Sequence, residues 1–313
     1  MKGVLAITSA PGKVILLGEH AVVFGQPAIA AAVNLRLHCR VATASTTTLN
    51  GAGLSPSAHP YVHHIVQACG LRENLAIDTR SEIPSGSGLG SSAAVCVALV
   101  SALVSRAHAI DPQEVAAKAY LTEAEVQGRA SPTDTSVSTH GQGILVDRSE
   151  KADLLWSISR GGQQWFIHHC PMPKLSLVVG YTGVNAPTGP LVAKVKRFYD
   201  RTVFARDIVR EIGQLTEEGL TRLKANDAVG LGQLMTKDHR LLAVLGVSSK
   251  ELDRLVEGCL PFSYGAKLTG AGGGGSMIAL TDSPDKVSEV IKRRGGIPYK
   301  VKLGEPGVRL EKE

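Results

Sequence analysis

The sequence predicts an α+β protein in two parts, and three observations carry that prediction. Short apolar runs and helical stretches are intermixed up to about residue 170. A helix-rich stretch then runs from Leu191 to Leu260. The chain closes with a small strand–helix–strand unit, so it lacks the regular βα alternation of a parallel-sheet fold. The 313 residues leave room for two domains of ordinary size. A soft boundary near Pro171–Pro173 divides them into residues 1–170 and 171–313.

Val4–Thr8 and Val14–Leu17 are apolar runs on either side of Ala10-Pro11-Gly12 and read as two strands joined by a turn. Leu35–Ala44 alternates and reads as a half-buried strand. Pro60–Cys69 reads as a helix, and Leu75–Thr79 as a strand running into a glycine-serine loop. Ser91–Ala107 is apolar on enough faces to be a mostly buried helix. Asp111, Pro112 and Glu114 spell the N-cap, first residue and returning partner of a capping box, so a helix should run to about Gln127. Short strands follow at Ile144–Val146, Trp165–His168 and Leu175–Gly180. Ser248 with Glu251 reads as a second capping box, opening a helix over 249–259. Ala266–Leu268 and Ser276–Leu280 read as strands around a glycine run, Ser283-Pro284 opens a last helix, and Ile297–Leu303 is a final strand.

Composition narrows the function. Hydrophobic residues are 43% and charged residues 20%, which suits a folded core and argues against disorder. The net charge of +6 favours anionic ligands weakly, but the basic residues are scattered. Their densest cluster, Lys194, Lys196, Arg197 and Arg201, has helical spacing and no interleaved stacking aromatics, so it reads as a solvated helix face and no nucleic acid is expected. The five widely spaced cysteines (Cys39, Cys69, Cys96, Cys170, Cys259) show no zinc spacing and read as buried thiols of a reducing compartment. Adjacent His63-His64 and His168-His169 should point apart and not share a metal. With no leader pattern and no run of 18 apolar residues, the expectation is a cytoplasmic protein without a membrane span.

Four segments concentrate unusual chemistry. Residues 83–94, IPSGSGLGSSAA, pack three glycines and four serines between a strand and an apolar helix. A linker is the ordinary reading of such a stretch. The tight flanks argue instead for an anion cradle, built from glycine backbone and the unpaired N–H groups of a helix N-terminus. A second run, 270-GAGGGG-275, matches G-x-G-x-x-G but precedes a strand where a dinucleotide fingerprint would open a helix, so that reading fails. In 9-SAPGKVILLGEHAVVFG-25, Lys13 alone reads as a solvated charge and Glu19-His20 as a satisfied polar pair. Their clustering within seventeen residues, with glycine turns on both sides, points to a site. In 131-SPTDTSVSTHGQG-143, Asp134 reads as an Asx turn or cap, with Glu123 eleven residues upstream inside a helix.

APGKVILLGEHAVVFG, PSGSGLGSSAA and KLTGAGGGGSMIAL, in that order, resemble the three motifs of the GHMP kinase superfamily. GEHAVVFG, the Glu123–Asp134 block and YTGVNAPTGPLVAKVK are most similar to its mevalonate kinase branch, in a compact archaeal-like form. The resemblance spans nearly the whole chain. It implies a ribosomal-protein-S5-domain-2-like N-terminal domain and a ferredoxin-like, helix-rich C-terminal domain. It implies ATP-dependent phosphorylation of the 5-hydroxyl of mevalonate, with Mg²⁺ as cofactor, by a cytoplasmic homodimer. Pro84, Ser85, Gly86, Ser87, Gly88, Leu89, Gly90, Ser91, Ser92, Ala93 and Ala94 would hold the ATP phosphates. Ser92 and Glu123 would hold the metal. Asp134 would be the catalytic base with Lys13 beside it, and Glu19, His20 and Thr188 would line the mevalonate pocket. The chain departs from the animal members at Ala186, where they carry arginine, and at Gln142, which interrupts a Gly-Gly pair.

The residues fit that chemistry. Phosphoryl transfer demands positioning and charge neutralisation more than covalent help. Ser92 and Glu123 offer hard oxygens suited to Mg²⁺, and Asp134 can accept the hydroxyl proton. Lys13 can steady the developing charge. If Lys13 lies nearer the alcohol, Asp134 becomes partly electrostatic, and the sequence leaves both divisions of labour open. Two other functions compete: a related kinase acting on phosphomevalonate, homoserine or a sugar alcohol, and a non-catalytic ligand sensor. The sensor would be marked by loss of Lys13, Ser92, Glu123 or Asp134, and all four are present.

Overall fold

The structure is a computed structural model that describes residues 3–70, 73–128, 131–185 and 188–312. β1 (Val4–Leu17) is one continuous strand where the sequence suggested two. Pro11-Gly12 makes no turn. The pairing of β1 with β2 (Ala28–Thr43) jumps there, from Pro11 opposite Arg36 to Gly12 opposite Val33. Such a bulge accommodates a proline that cannot donate to the ladder. β2 begins well before Leu35 because its first residues pair with a second partner.

β3 (Thr48–Leu49) and β4 (Ala52–Gly53) form a small edge ribbon. α1 (Pro60–Ala68) and β5 (Leu75–Ser81) lead to α2 (Ser91–Val104), whose buried residues lie all around its axis. A helix apolar on every face belongs inside, and α2 is packed between the sheet and the helices around it. α3 (Pro112–Gln127) starts where its signals indicate: Asp111 accepts the Gln113 N–H at 3.0 Å. Glu114 does not turn back to close the box; it pairs with Lys118 at 2.6 Å.

α4 (Thr133–His140) is a helix where the sequence suggested only an Asx turn or cap at Asp134. Its hydroxyl residues carry no apolar stripe, and three of them bond carbonyls, Thr135 Oγ1 reaching Pro132 O at 3.4 Å. Thr139 Oγ1 donates to Thr135 O at 2.7 Å and Ser138 Oγ to Pro11 O at 2.7 Å. β6 (Gly143–Asp147), β7 (Leu154–Arg160) and β8 (Gln163–Cys170) complete the first sheet, and β7 was not foreseen either. The sheet runs β4-β3-β5-β2-β6-β8-β7, with β1 laid along β2. β2 is its spine, pairing with β6 through Ala28–Ala31 and with β5 through Leu37–Thr43.

β9 (Ser176–Tyr181) opens the second sheet. Four helices follow: α5 (Thr188–Arg201), α6 (Val203–Lys224), α7 (Ala228–Val244) and α8 (Lys250–Cys259). Ser249, one residue later than expected, caps α8 by accepting the Leu252 N–H at 3.3 Å; Ser248 donates instead to Asp253. β10 (Gly265–Thr269), β11 (Ser276–Leu280), α9 (Pro284–Arg293) and β12 (Ile297–Lys302) finish an antiparallel sheet ordered β10-β11-β9-β12. A last short strand, β13 (Arg309–Leu310), returns to pair with β1. Buried Arg36 holds this tail through Pro306 O and Gly307 O, each at 2.8 Å. The two sheets meet where Thr269 Oγ1 takes the Ile15 N–H at 2.9 Å and donates to Ile15 O at 3.2 Å.

The described thiols are free; Cys39, Cys96, Cys170 and Cys259 are buried, and Cys69 is half-buried. His168 accepts the Lys151 N–H at 2.9 Å while His169 meets His140 at 2.9 Å, so these neighbours do point apart. Among the described residues, no helix is long and apolar enough to cross a membrane.

Candidate active site

A cavity of ≈ 1520 Å³ lies where the two sheets meet, and it gathers Lys13, His20, Ser92, Glu123, Asp134 and Gly270 from five separate stretches of chain. The glycine-serine loop forms one wall. Gly86, Gly88 and Gly90 have φ of +69°, +77° and +77°, alternating with ordinary residues. That alternation aims successive backbone N–H groups to one side as an anion nest. Gly90 is the N-cap of α2, and no side chain caps the helix, so its first N–H groups remain available. Leu89, Ala93 and Ala94 are fully buried and can offer backbone only. Ser87 Oγ is turned inward to Pro84 O at 2.6 Å.

Lys13 comes from β1 just past the bulge. Its backbone N–H bonds Leu89 O at 2.9 Å, and its ammonium reaches Gly88 O and Asp134 Oδ2, each at 3.1 Å. Lys13 is 2% exposed and Asp134 32%, so the lysine lies beneath and the carboxylate opens to the cavity. Asp134 sits in the first turn of α4, the helix that the sequence reading missed.

Ser92, in the first turn of α2, donates to Glu123 Oε1 at 2.7 Å across to α3. Burial pushes the Glu123 carboxyl up to about 7, and the neighbouring Asp134 adds to the rise. A buried carboxylate held by one hydroxyl and a distant amide at 3.4 Å has oxygen donors to spare for a hard cation.

Glu19 and His20 follow β1 in a turn. His20, at φ +60°, bonds Ala271 O at 2.9 Å and thereby touches the second glycine run. Glu19 is 1% exposed and accepts from Lys267 of β10, a residue the sequence reading did not select. Lys267 stands 3.3 Å from Asp238 of α7, also unselected. The signal was weak: one lysine before a glycine run and one aspartate in a helix, 29 residues apart in the chain. Arg148 was missed too. Its guanidinium lies 5.0 Å from the Trp165 ring centroid in the cavity wall, with Nε buried and without a partner among the described residues. Thr188 begins α5, but its side chain lies outside the description, as does Ala186.

The run 270–275 joins β10 to β11 and lies against the first loop. A Cβ on Gly270 would stand 3.2 Å from Gly88 O, and one on Gly272 would stand 2.0 Å from Val247 O. The glycines there allow backbone to meet backbone.

Comparison with known proteins agrees with this arrangement. Residues 56–142 match the family described as GHMP kinases N terminal domain, and residues 219–296 match GHMP kinases C terminal. The mevalonate kinase of Pyrococcus abyssi is 32% identical, over 98% of this chain and 98% of its own. That of Methanothermobacter thermautotrophicus is 37% identical, over 90% and 92%. The crystal structure of L. major mevalonate kinase in complex with R-mevalonate superposes with a TM-score of 0.79 at 25% identity, covering 98% of this chain and 97% of that one. This chain therefore belongs to the mevalonate kinases of the GHMP kinase superfamily.

Proposed function

We propose that the protein transfers the γ-phosphoryl group of ATP to the 5-hydroxyl of (R)-mevalonate, giving 5-phosphomevalonate and ADP. The observation that carries this reading is the Lys13–Asp134 contact at 3.1 Å, at the foot of the glycine-serine loop. The loop's N–H groups, with the α2 N-terminus, take the phosphate charge. Asp134 faces the cavity and accepts the proton of the attacking hydroxyl. Lys13 is held by Gly88 O on the loop itself, so it bridges the base and the phosphate wall. From there it offsets charge on either the oxygen or the transferred group.

Ser92 and Glu123 fit Mg²⁺ by their hard oxygens, and would hold it at the phosphate wall. When bound, the ion neutralises phosphate charge. Arg148, whose Nε in the cavity wall has no partner among the described residues, is the cation we assign to the mevalonate carboxylate. His20 and Thr188 complete the substrate side in this reading. Residues 1–170 form the ATP- and substrate-binding domain and residues 171–313 the C-terminal domain. The resemblance to the family adds a homodimer in the cytoplasm, which light scattering and fractionation test.

A coupled assay of ADP release tests the function across mevalonate, phosphomevalonate, homoserine and galactose. Mevalonate should exceed the others in kcat/KM by at least about a hundredfold, since a site built to pair a specific polar group rejects ligands that leave it unpaired. A different preferred alcohol would replace this reading with that of a sister kinase.

A further inference from the structure

Glu19, Lys267 and Asp238 form a cluster that the transfer chemistry does not use. They come from the turn after β1, from β10 and from α7, and are 1%, 0% and 0% exposed. Lys267 Nζ donates to Glu19 Oε1 and to Leu268 O at 2.8 Å, and stands 3.3 Å from Asp238 Oδ2. Glu19 Oε2 and both Asp238 oxygens have no hydrogen-bond partner among the described residues.

Two carboxylates around one ammonium leave a net negative charge where water does not reach, which is costly. The surrounding groups do not cancel it. His239, next on α7, accepts the Leu268 N–H at Nδ1 and faces Asp253 of α8 at 3.2 Å. Burial pushes its pKa down to about 4, so it is neutral. Burial likewise lowers His20. Arg240 is exposed on the outer face of α7. One proton held by the carboxyl pair would cancel the charge and give an orphan oxygen a donor. Burial raises both carboxyls, Glu19 to about 8, in line with that requirement.

We propose that Glu19 and Asp238 share a single proton beside Lys267, and that Lys267 and Asp238 are positioning residues for the substrate pocket. The neutral cluster ties the Gly18–His20 turn to β10 and α7. That turn has φ of +98° at Gly18 and +60° at His20, and it holds His20 against Ala271 O at 2.9 Å. Loss of the proton leaves a negative charge under a pocket that receives an anionic substrate, and loosens the turn.

Two measurements on the full chain test this. The first is infrared spectroscopy of the protein without substrate, which is independent of the mevalonate reading. The carbonyl band of a buried protonated carboxyl is expected near neutral pH and should fade as pH passes about 8. In a Glu123→Gln background, which removes the other raised carboxyl, it should be absent on adding Glu19→Gln or Asp238→Asn, and persist in Glu123→Gln alone. Either of the first two variants suffices, so misfolding of one leaves the other. A band that survives both substitutions, or its absence from the parent and from Glu123→Gln, overturns the shared proton. The second measurement rests on the mevalonate reading. KM for mevalonate should rise about tenfold from pH 7 to pH 9, as expected when only the protonated cluster binds. KM for ATP should move less than about twofold over that range, and Asp238→Asn should flatten the mevalonate profile. A flat parent profile with the infrared band present overturns the positioning role alone.

Discussion

Lys13 Nζ stands 3.1 Å from Asp134 Oδ2 and 3.1 Å from Gly88 O, so one buried ammonium joins the candidate base to the phosphate loop. Removing the carboxylate charge should therefore affect the chemical step more than nucleotide binding. Asp134→Asn is expected to lower kcat by roughly 10²–10⁴ with KM for ATP changed little. Steady-state kinetics with each substrate varied checks this, and turnover near the parent rate would remove Asp134 from the base role. Lys13→Met should lower kcat and also raise KM for ATP, because the lysine touches the loop.

Gly90 tests the loop by a backbone change that removes no functional group. It adopts φ +77°, and an added Cβ would lie 2.9 Å from the Lys13 side chain. Gly90→Ala should cost about 1–3 kcal/mol of stability through backbone strain. It should also lower kcat by displacing Lys13. Urea unfolding and kinetics on the same preparation separate the two effects; unchanged kcat would mean that Lys13 tolerates displacement.

The sequence made some of this legible and hid the rest for physical reasons. The loop at 83–94 could be read because glycines and a helix start leave a local signature. Asp111 announced α3, and the continuous apolar run of α2 announced its burial. α4 could not be read, because its faces are made of Ser and Thr in place of an apolar stripe, with the hydroxyls of Thr135, Ser138 and Thr139 bonded to carbonyls near and far in the chain. The same limit hid Asp238 and Lys267. Their meaning arises from packing α7 and β10 against the turn at Glu19, far away in the chain, with 248 positions between Glu19 and Lys267. The turn expected at Pro11-Gly12 became a bulge because β2 supplies a partner on either side of it.

Ser92 and Glu123 are joined at 2.7 Å and would face the phosphate wall together. Ser92→Ala should raise the Mg²⁺ concentration required for half-maximal rate, by about 10-fold if one charge-assisted contact is lost. Glu123→Gln should raise it further, since a carboxylate gives more to a hard cation than an amide. A magnesium titration at fixed ATP reads both, and an unshifted curve in both variants would place the metal elsewhere.

Arg148 separates substrate binding from chemistry. Its buried Nε has no partner among the described residues and its guanidinium rests by Trp165. Losing a charge-assisted contact of about 1.5–3 kcal/mol should raise KM for mevalonate by roughly 10- to 100-fold in Arg148→Ala. KM for ATP should remain near the parent value. Equal rises in both constants would argue for a structural role in place of carboxylate recognition.

Acid stability follows from His140, at the C-terminal end of the helix that carries Asp134. Its Nε2 meets His169 Nδ1 at 2.9 Å and its ring stands edge-on to Trp156. Burial, helped by His169, pushes its pKa from 6.5 down to about 4. A base with a depressed folded-state pKa binds its proton more readily in the unfolded chain. Its contribution to stability is thus present above pH 6.5 and is lost as pH falls from there through about 4. His239 acts in the same direction over the same window. The melting temperature should therefore fall steadily as pH drops from 6.5 to 4. In His140→Gln, the difference in bound protons between unfolded and folded states near pH 5 should shrink by about one. Denaturant unfolding at closely spaced pH values gives that slope directly. The slope is the decisive quantity, because the variant's overall stability also changes with its packing. A slope identical to the parent's would mean that His140 is already protonated in the folded protein at pH 5.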